Sequence, residues 1–103
     1  MHTNIENCEC RYYISYSGVK LPLKLVSPLT DAELQNRNTF IRAYFDAQER
    51  LILCQKLVYG EIELEHRYSY YATGNLKQAE IIDADGELTR LDFDEAGIPQ
   101  DPD

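Results

Sequence analysis

Polar and apolar residues alternate along much of this 103-residue chain. Over residues 11–17, Tyr12, Ile14 and Tyr16 take one side, and Tyr13 and Ser15 the other. Over residues 19–25, Val19, Leu21, Leu23 and Leu25 take the side of a core, and Lys20, Pro22 and Lys24 face out. A period of two is that of a strand with one buried face. Ser17-Gly18 between the two runs is a turn signal, so residues 10–26 are expected to form an N-terminal hairpin. Pro22 has no amide hydrogen for a ladder, which places the second strand at a sheet edge. Lysines at an edge also oppose edge-to-edge aggregation.

The cleanest alternation runs over residues 61–70. Ile62, Leu64, His66, Tyr68 and Tyr70 share one face, and Glu61, Glu63, Glu65, Arg67 and Ser69 the other. Taking Gly60-Glu61 as a two-residue turn with glycine first sets Tyr59 opposite Ile62. Leu57 then opposes Leu64, Leu53 opposes Tyr68, and Leu51 opposes Tyr70, which gathers the apolar residues on one face. That register leaves Cys54 on the face opposite His66. Further strands are expected over 39–45, 50–59, 76–82 and 87–93.

One helix start stands out. Thr30 can cap, and Glu33 three residues on completes a capping box, with Leu29 and Leu34 at the spacing of a hydrophobic staple. Asp31 and Glu33 suit the positive end of a helix. Asn36, Asn38 and Thr39 oppose its continuation, so a short helix over 31–37 is expected. A helix of that length needs the sheet to hold it.

A short unit recurs from Tyr44 to Pro99. It reads Phe45-Asp46-Ala47-Gln48-Glu49-Arg50-Leu51, Tyr70-Tyr71-Ala72-Thr73-Gly74-Asn75-Leu76, Ile82-Asp83-Ala84-Asp85-Gly86-Glu87-Leu88 and Phe93-Asp94-Glu95-Ala96-Gly97-Ile98-Pro99. Each is a strand end, a turn and a strand start, and residues 39–97 therefore read as a β-meander. The expected fold is mainly β: one antiparallel, curved meander of about six or seven strands, near-sequential in order, with one short α-helix. A length of 103 residues fits one domain, with residues 1–9 and 98–103 as flexible tails. A single sheet with one small helix leaves apolar surface uncovered, so strong curvature, a dimer, or both are expected.

Composition narrows the function classes. The hydrophobic share is 44%, too high for a disordered chain despite 27% charged residues. Eight of the eleven aromatics are Tyr, which suits half-buried strands and contact surfaces. The net charge of −8 is uneven: residues 1–45 carry four acids and five bases, residues 46–103 fourteen acids and five bases. So acidic a surface disfavours nucleic acid and anionic membrane as partners and is compatible with a basic protein. No apolar run reaches the ~20 residues of a membrane span. The opening Met-His-Thr-Asn-Ile-Glu-Asn lacks the basic and apolar regions of a secretory signal. Three cysteines, an odd number, fit reduced thiols. A cytoplasmic location is expected.

Candidate chemistry resolves into structural roles. Asp83, Asp85, Gly86 and Glu87, with Asp92, Asp94 and Glu95, suggest calcium, but Gly86 comes too early for an EF-hand and position 92 is Asp rather than Glu. A hairpin turn accounts for them. Cys8-x-Cys10 with His2 nearby supplies too few ligands for zinc, and Cys54 and His66 do not converge in the expected register. The same separation excludes a Cys54–His66 nucleophile pair. Glu61, Glu63 and Glu65 read as a solvated strand face. Tyr12, Tyr16, Tyr68 and Tyr70 read as core and cross-strand partners rather than base-stacking platforms, there being no basic groove. No catalytic, cofactor-binding or metal-binding residue is assigned, and no cofactor is expected.

The repeated unit resembles the tyrosine–aspartate repeats of Rhs-type proteins, in which Tyr-Asp-x-x-Gly-x-Leu builds hairpins. Here Glu49 stands in a Gly position, Tyr71 in an Asp position and Pro99 in a Leu position. The resemblance implies hairpin architecture. A second resemblance covers more of the chain. Tyr13-Ile14-Ser15-Tyr16-Ser17-Gly18-Val19-Lys20-Leu21-Pro22-Leu23-Lys24-Leu25-Val26, Arg42-Ala43-Tyr44-Phe45-Asp46 and Lys56-Leu57-Val58-Tyr59-Gly60-Glu61 are similar to a family of short bacterial proteins of unknown function. Two function classes follow from the residues themselves. The first is a non-enzymatic protein-interaction or assembly module, acting on a protein partner or on itself. The alternative is a small-ligand- or metal-binding protein that uses a concave Tyr/His-lined sheet face.

Overall fold

Four chain reversals are built alike, and they set the architecture. In the computed structural model, which describes residues 8–17 and 21–100, the repeated units centre on Asp46, Tyr71, Asp83 and Asp94. At each, the carbonyl of that residue accepts from the amide three positions on, and its own amide donates to the carbonyl four positions on. This is a type I turn followed by a left-handed residue, the usual three-residue hairpin loop. The left-handed residue is Gly74, Gly86 or Gly97 in three units and Glu49 in the fourth, at φ 64°. Asp83 adds a side-chain clamp: its Oδ1 accepts from the amides of Asp85 and Glu87, each at 2.9 Å. Asp46 and Asp94 clamp their turns in the same way. Tyr71 has no carboxylate to do so.

These four turns, with a separate one between β4 and β5, join β3 (Thr39–Phe45), β4 (Leu51–Val58), β5 (Glu61–Tyr70), β6 (Leu76–Ile82), β7 (Leu88–Phe93) and β8 (Pro99–Gln100) into a meander. Before them come β1 (Glu9–Ser17), β2 (Lys24–Pro28) and α1 (Asp31–Leu34). All eight strands form one open antiparallel sheet, ordered β2-β1-β3-β4-β5-β6-β7-β8. The protein is thus mainly β, as its alternation implies. The strand beyond the expected six or seven is β8: Asp92 and Phe93 pair with Gln100 and Pro99, inside the stretch read as a loose tail. At the other tail, Glu9 already pairs with Phe45. The remaining tail positions, 1–7 and 101–103, and the turn residues 18–20 lie outside the described residues.

The capping box is present. Thr30 Oγ1 accepts from the Glu33 amide, and Glu33 Oε1 accepts from the Thr30 amide. The Thr30 amide and hydroxyl, both donating to Glu33 Oε1, hold that carboxyl below the usual carboxylate range. Yet α1 ends at Leu34 rather than 37, because none of its residues is buried and nothing else holds a second turn.

Residues directly opposite one another on adjacent strands share a sheet face. One face therefore carries Ile41, Ala43, Cys54, Leu64, His66, Tyr68, Ala79, Ile81 and Leu91. The other carries Tyr12, Arg42, Tyr44, Leu53, Gln55, Glu65, Arg67, Glu80 and Arg90. Among the described residues, only the first is covered. Leu21 and Leu23, a strap ahead of the edge strand β2, and Leu25 within β2 pack against its core. The Leu23 amide donates to Tyr68 Oη at 3.2 Å. Alternation fails along β1, where Tyr13 and Tyr16, three apart, both pack on this core. Beyond Tyr13 the strand has left β3 and pairs with β2 alone, and two-stranded ribbons twist strongly.

A Gly86→Ala substitution meets no atom within 4 Å at φ 82°, so its cost is backbone strain alone. We expect a loss of about 1–2 kcal/mol. Glu49→Ala, at the equivalent turn position, keeps a strain already present and loses only an exposed ion pair with Arg11, a change of under about 1 kcal/mol. Urea denaturation of the two variants checks the contrast.

Candidate functional site

The β4–β5 hairpin decides which polar groups meet. Its turn is Tyr59-Gly60, with positive φ at both residues (51° and 81°), not Gly60-Glu61. Val58 opposes Glu61, and Leu57 opposes Ile62. A bulge then leaves Glu63 without a partner on β4, so Lys56 opposes Leu64, Gln55 opposes Glu65, Cys54 opposes His66 and Leu53 opposes Arg67. The register expected from alternation is one residue off, and Cys54 and His66 face each other on the covered side. The polarity argument for the other register fails because β4 is buried on both faces: Leu51 and Cys54 on one, Leu53, Gln55 and Leu57 on the other. Lys56 escapes the apolar face by reaching Glu63 at 3.3 Å.

Meeting does not make Cys54 and His66 a catalytic pair. His66 Nδ1 is 2.7 Å from Tyr68 Oη, which also serves the strap. Burial pushes the Cys54 thiol up to about 12, so it stays protonated near neutrality. Burial lowers the His66 pKa and raises that of Tyr68. The void beside them, lined by Tyr16, Leu23, Ile41, Leu64, Cys54 and His66, measures about 10 Å3, room for about one water. A buried thiol with no activating cation is inert. The cluster ties the strap to the sheet.

The uncovered face is different. Tyr12, Arg42, Gln55 and Glu65 stand in one row across β1, β3, β4 and β5. Arg42 donates through Nε and Nη2 to Gln55 Oε1 at 3.0 and 2.6 Å. Gln55 Nε2 donates to Glu65 Oε1 at 2.6 Å, and Arg67 Nε donates to Glu65 Oε2 at 2.6 Å. Gln55 and Glu65 are buried beneath their neighbours' side chains. The chain of donors fixes the amide orientation, and through it the guanidinium of Arg42. Around this network lie Tyr12, stacked edge-on against Phe40 at 5.7 Å, and Tyr44. Cys10 hydrogen-bonds Tyr12, which raises the Tyr12 pKa, while burial raises that of Tyr44. No helix or strand among the described residues lies across this face, since each strand's main contacts are with its sheet neighbours.

Of the residues singled out by sequence, Glu65 leaves the solvated row and joins this network, whereas Glu61 and Glu63 remain exposed. Tyr12 lies on the uncovered face, and Tyr16, Tyr68 and Tyr70 pack on the core. Asp83 and Asp94 clamp turns, as a hairpin reading requires. Among the described residues, no three His, Cys, Asp or Glu groups converge as metal ligands. Arg42, Gln55 and Arg67 were not singled out; the signal for them is Gln55 facing Glu65, visible only in the correct register. A hollow of about 820 Å3 lies on the covered face beside the strap, lined by Leu21, Pro22, Tyr70, Leu76, Leu91 and Phe93 among others. No helix of the described residues is long and apolar enough to cross a membrane.

His66 makes stability depend on pH. Its folded pKa lies below the ordinary 6.5, so the unfolded chain binds the proton more readily. The stabilisation is complete above about 6.5 and is lost as pH falls through the folded value. The denaturation midpoint is expected to fall below pH 6.5, and His66→Gln should remove part of that fall. Tyr68→Phe strands the His66 nitrogen and the Leu23 amide and should cost about 1–3 kcal/mol, read by the same denaturation curves.

Neither curated proteins nor solved structures gave a match to this chain. The model of a family of unknown function, DUF6156, matches residues 5–102. That span is nearly the whole chain, and the protein belongs to this family.

Proposed function

We propose that the protein is a non-enzymatic interaction and assembly module that binds protein through the uncovered face of its sheet. The observation that carries this reading is the contrast between the two faces. One has a strap and a closed Cys54–His66–Tyr68 cluster. The other presents Tyr12, Phe40, Arg42, Tyr44 and Arg67 above buried Leu53 and Leu57, with no helix or strand of the described residues across it. Tyr and Arg are prominent among the side chains that dominate protein interfaces. Preset rotamers lower the ordering cost of binding, and the Gln55–Glu65 network presets Arg42. Fourteen acids against five bases over residues 46–103 argue against nucleic acid or anionic membrane as the partner. We place the protein in the cytoplasm of a bacterium. The absence of a disulfide among its three cysteines and the bacterial resemblance of its sequence support that setting. The likeness to tyrosine–aspartate repeats rests on the common turn geometry of the four units.

A second reading has one observation in its favour. The 820 Å3 hollow is within the size range of small-ligand sites and includes Tyr70. His66 and Tyr68, however, are not in its lining, so it is not the Tyr/His-lined face expected of a ligand site.

The test uses affinity capture with tagged protein and two reversed surfaces. A specific partner should be retained by the native protein and by Leu91→Asp, which alters the hollow, and lost by Tyr44→Asp. Retention by Tyr44→Asp and loss by Leu91→Asp would move the site to the hollow. Circular dichroism confirms that each variant is folded.

A further inference from the structure

The tip of the β4–β5 hairpin carries a side chain that the fold does not require. Tyr59 stands at φ 51° in a two-residue turn whose two positions both need positive φ, and Asn-Gly is the pair that such a turn favours. A bulky residue in the left-handed region is an outlier. Its ring gives no packing in return, being 77% exposed. What the turn uses is the Tyr59 amide, which donates to the Asn38 carbonyl at 2.7 Å, a bond that any residue but proline can make. Residues held in such strain cluster at functional sites.

Beside the ring lies a hollow of about 290 Å3, lined by Val58, Tyr59, Glu61, Ile62, Glu63 and Ala84. Ile62 is 48% exposed there. Glu61 has no ionic partner among the described residues, and Glu63 has only Lys56, in an exposed pair. Arg37, next to Asn38, turns its Nε to the Thr39 carbonyl. Elsewhere the chain sets its own cations over rings: Arg11 over Phe45, Arg50 over Tyr70 and Lys77 over Tyr71. No described cation lies over Tyr59. An aromatic wall, apolar neighbours and two carboxylates complement one kind of side chain, a long apolar stem that ends in a cation.

We propose that this hollow receives an arginine or lysine side chain from a basic segment of a partner protein. The cation sets against the Tyr59 ring and the Glu61 carboxylate, and the stem runs along Ile62 and Ala84. The charge of the chain favours that partner. Asp83 and Asp85 flank Ala84, and residues 46–103 carry fourteen acids against five bases. A basic segment is drawn to this end of the sheet, and an acidic one is repelled. The site goes beyond the interaction reading above and stands on residues which that reading does not use.

A library of random peptides displayed on phage, selected on the immobilised full chain at physiological salt, is the probe. Enriched peptides should carry an arginine or lysine beside an apolar residue. Calorimetry with their synthetic copies should show binding weakened by about tenfold or more in Tyr59→Asn and in Glu61→Lys. Glu95→Lys, in the Asp94 turn at the opposite end of the strands, should weaken it far less. Tyr59→Asn should also raise the urea midpoint, because Asn-Gly suits the turn. A variant that is more stable and binds less has not lost binding by misfolding. A midpoint lowered by Tyr59→Asn shows that the ring serves the fold and overturns the proposal. So does a selection that enriches nothing, or only peptides without a basic residue. Binding indifferent to Tyr59→Asn, or weakened equally by Glu61→Lys and Glu95→Lys, overturns it as well. Peptides retained by Tyr59→Asn and released by Tyr44→Asp belong to the uncovered face; the interaction reading then stands and this one falls.

Discussion

The structure depends most on the register between β4 and β5. These two strands lie at the centre of the sheet, and every polar contact of interest crosses between them or starts from them. A shift of one residue exchanges the faces of a strand. In the observed register, Gln55 meets Glu65 on the uncovered side and Cys54 meets His66 on the covered side. In the neighbouring register both meetings vanish, and with them the network that orients Arg42. Two local features hold this alignment: the left-handed pair Tyr59-Gly60 and the bulge at Glu63. Lys56 and Glu63 then form a salt bridge beside the bulge.

The register also explains why the two faces have unlike fates. On the covered side it stacks small and apolar residues, Ala43, Cys54 and Ala79, at the centre of the sheet. Small residues leave depth for another layer, and the strap residues Leu21 and Leu23, with Leu25 of β2, supply it. Tyr68 locks that layer with one hydroxyl, which accepts from Leu23 and meets His66. On the other side the register stacks long side chains, Arg42, Gln55, Glu65 and Arg67. They lie over the backbone and hydrogen-bond one another, so the sheet is covered there by its own side chains rather than by a further element of the described residues. The radius of gyration, 14.0 Å against about 13 Å for a compact chain of this size, fits an open, one-sided structure.

Much of the fold was legible in the sequence because it is written in local chemistry. Asp-x-x-Gly fixes a turn through its own backbone and carboxylate, and two of the four units, at Asp83 and Asp94, follow that rule in full. Thr30 and Glu33 announce a helix start in the same local way. Alternation found strands β3 to β7. It could not find the register, because a bulge is one residue long and Glu63 looks like any other exposed acid. Tyr59 gave no warning either, since few residues other than glycine adopt a left-handed turn position and tyrosine is not a favoured one. The candidate face was therefore hidden. Glu65 fits a solvated row, Gln55 lies on a strand that alternation aligns one residue off against β5, and alternation sets no register for the strand that carries Arg42.

What the face does follows from how its polar groups are held. Buried Gln55 and Glu65 would be costly if unsatisfied, and each is fully engaged inside the chain. Arg42 completes the Gln55 carbonyl but finds no anion there, whereas Arg67 finds Glu65. The sheet thus neutralises one of its two central arginines and orients the other. A fixed cation, ringed by Tyr12, Phe40 and Tyr44, offers charge, aromatic area and low conformational freedom together. On the proposed reading, a protein surface supplies what that arrangement lacks, a carboxylate brought in on a body large enough to cover the aromatic ring of contacts around it.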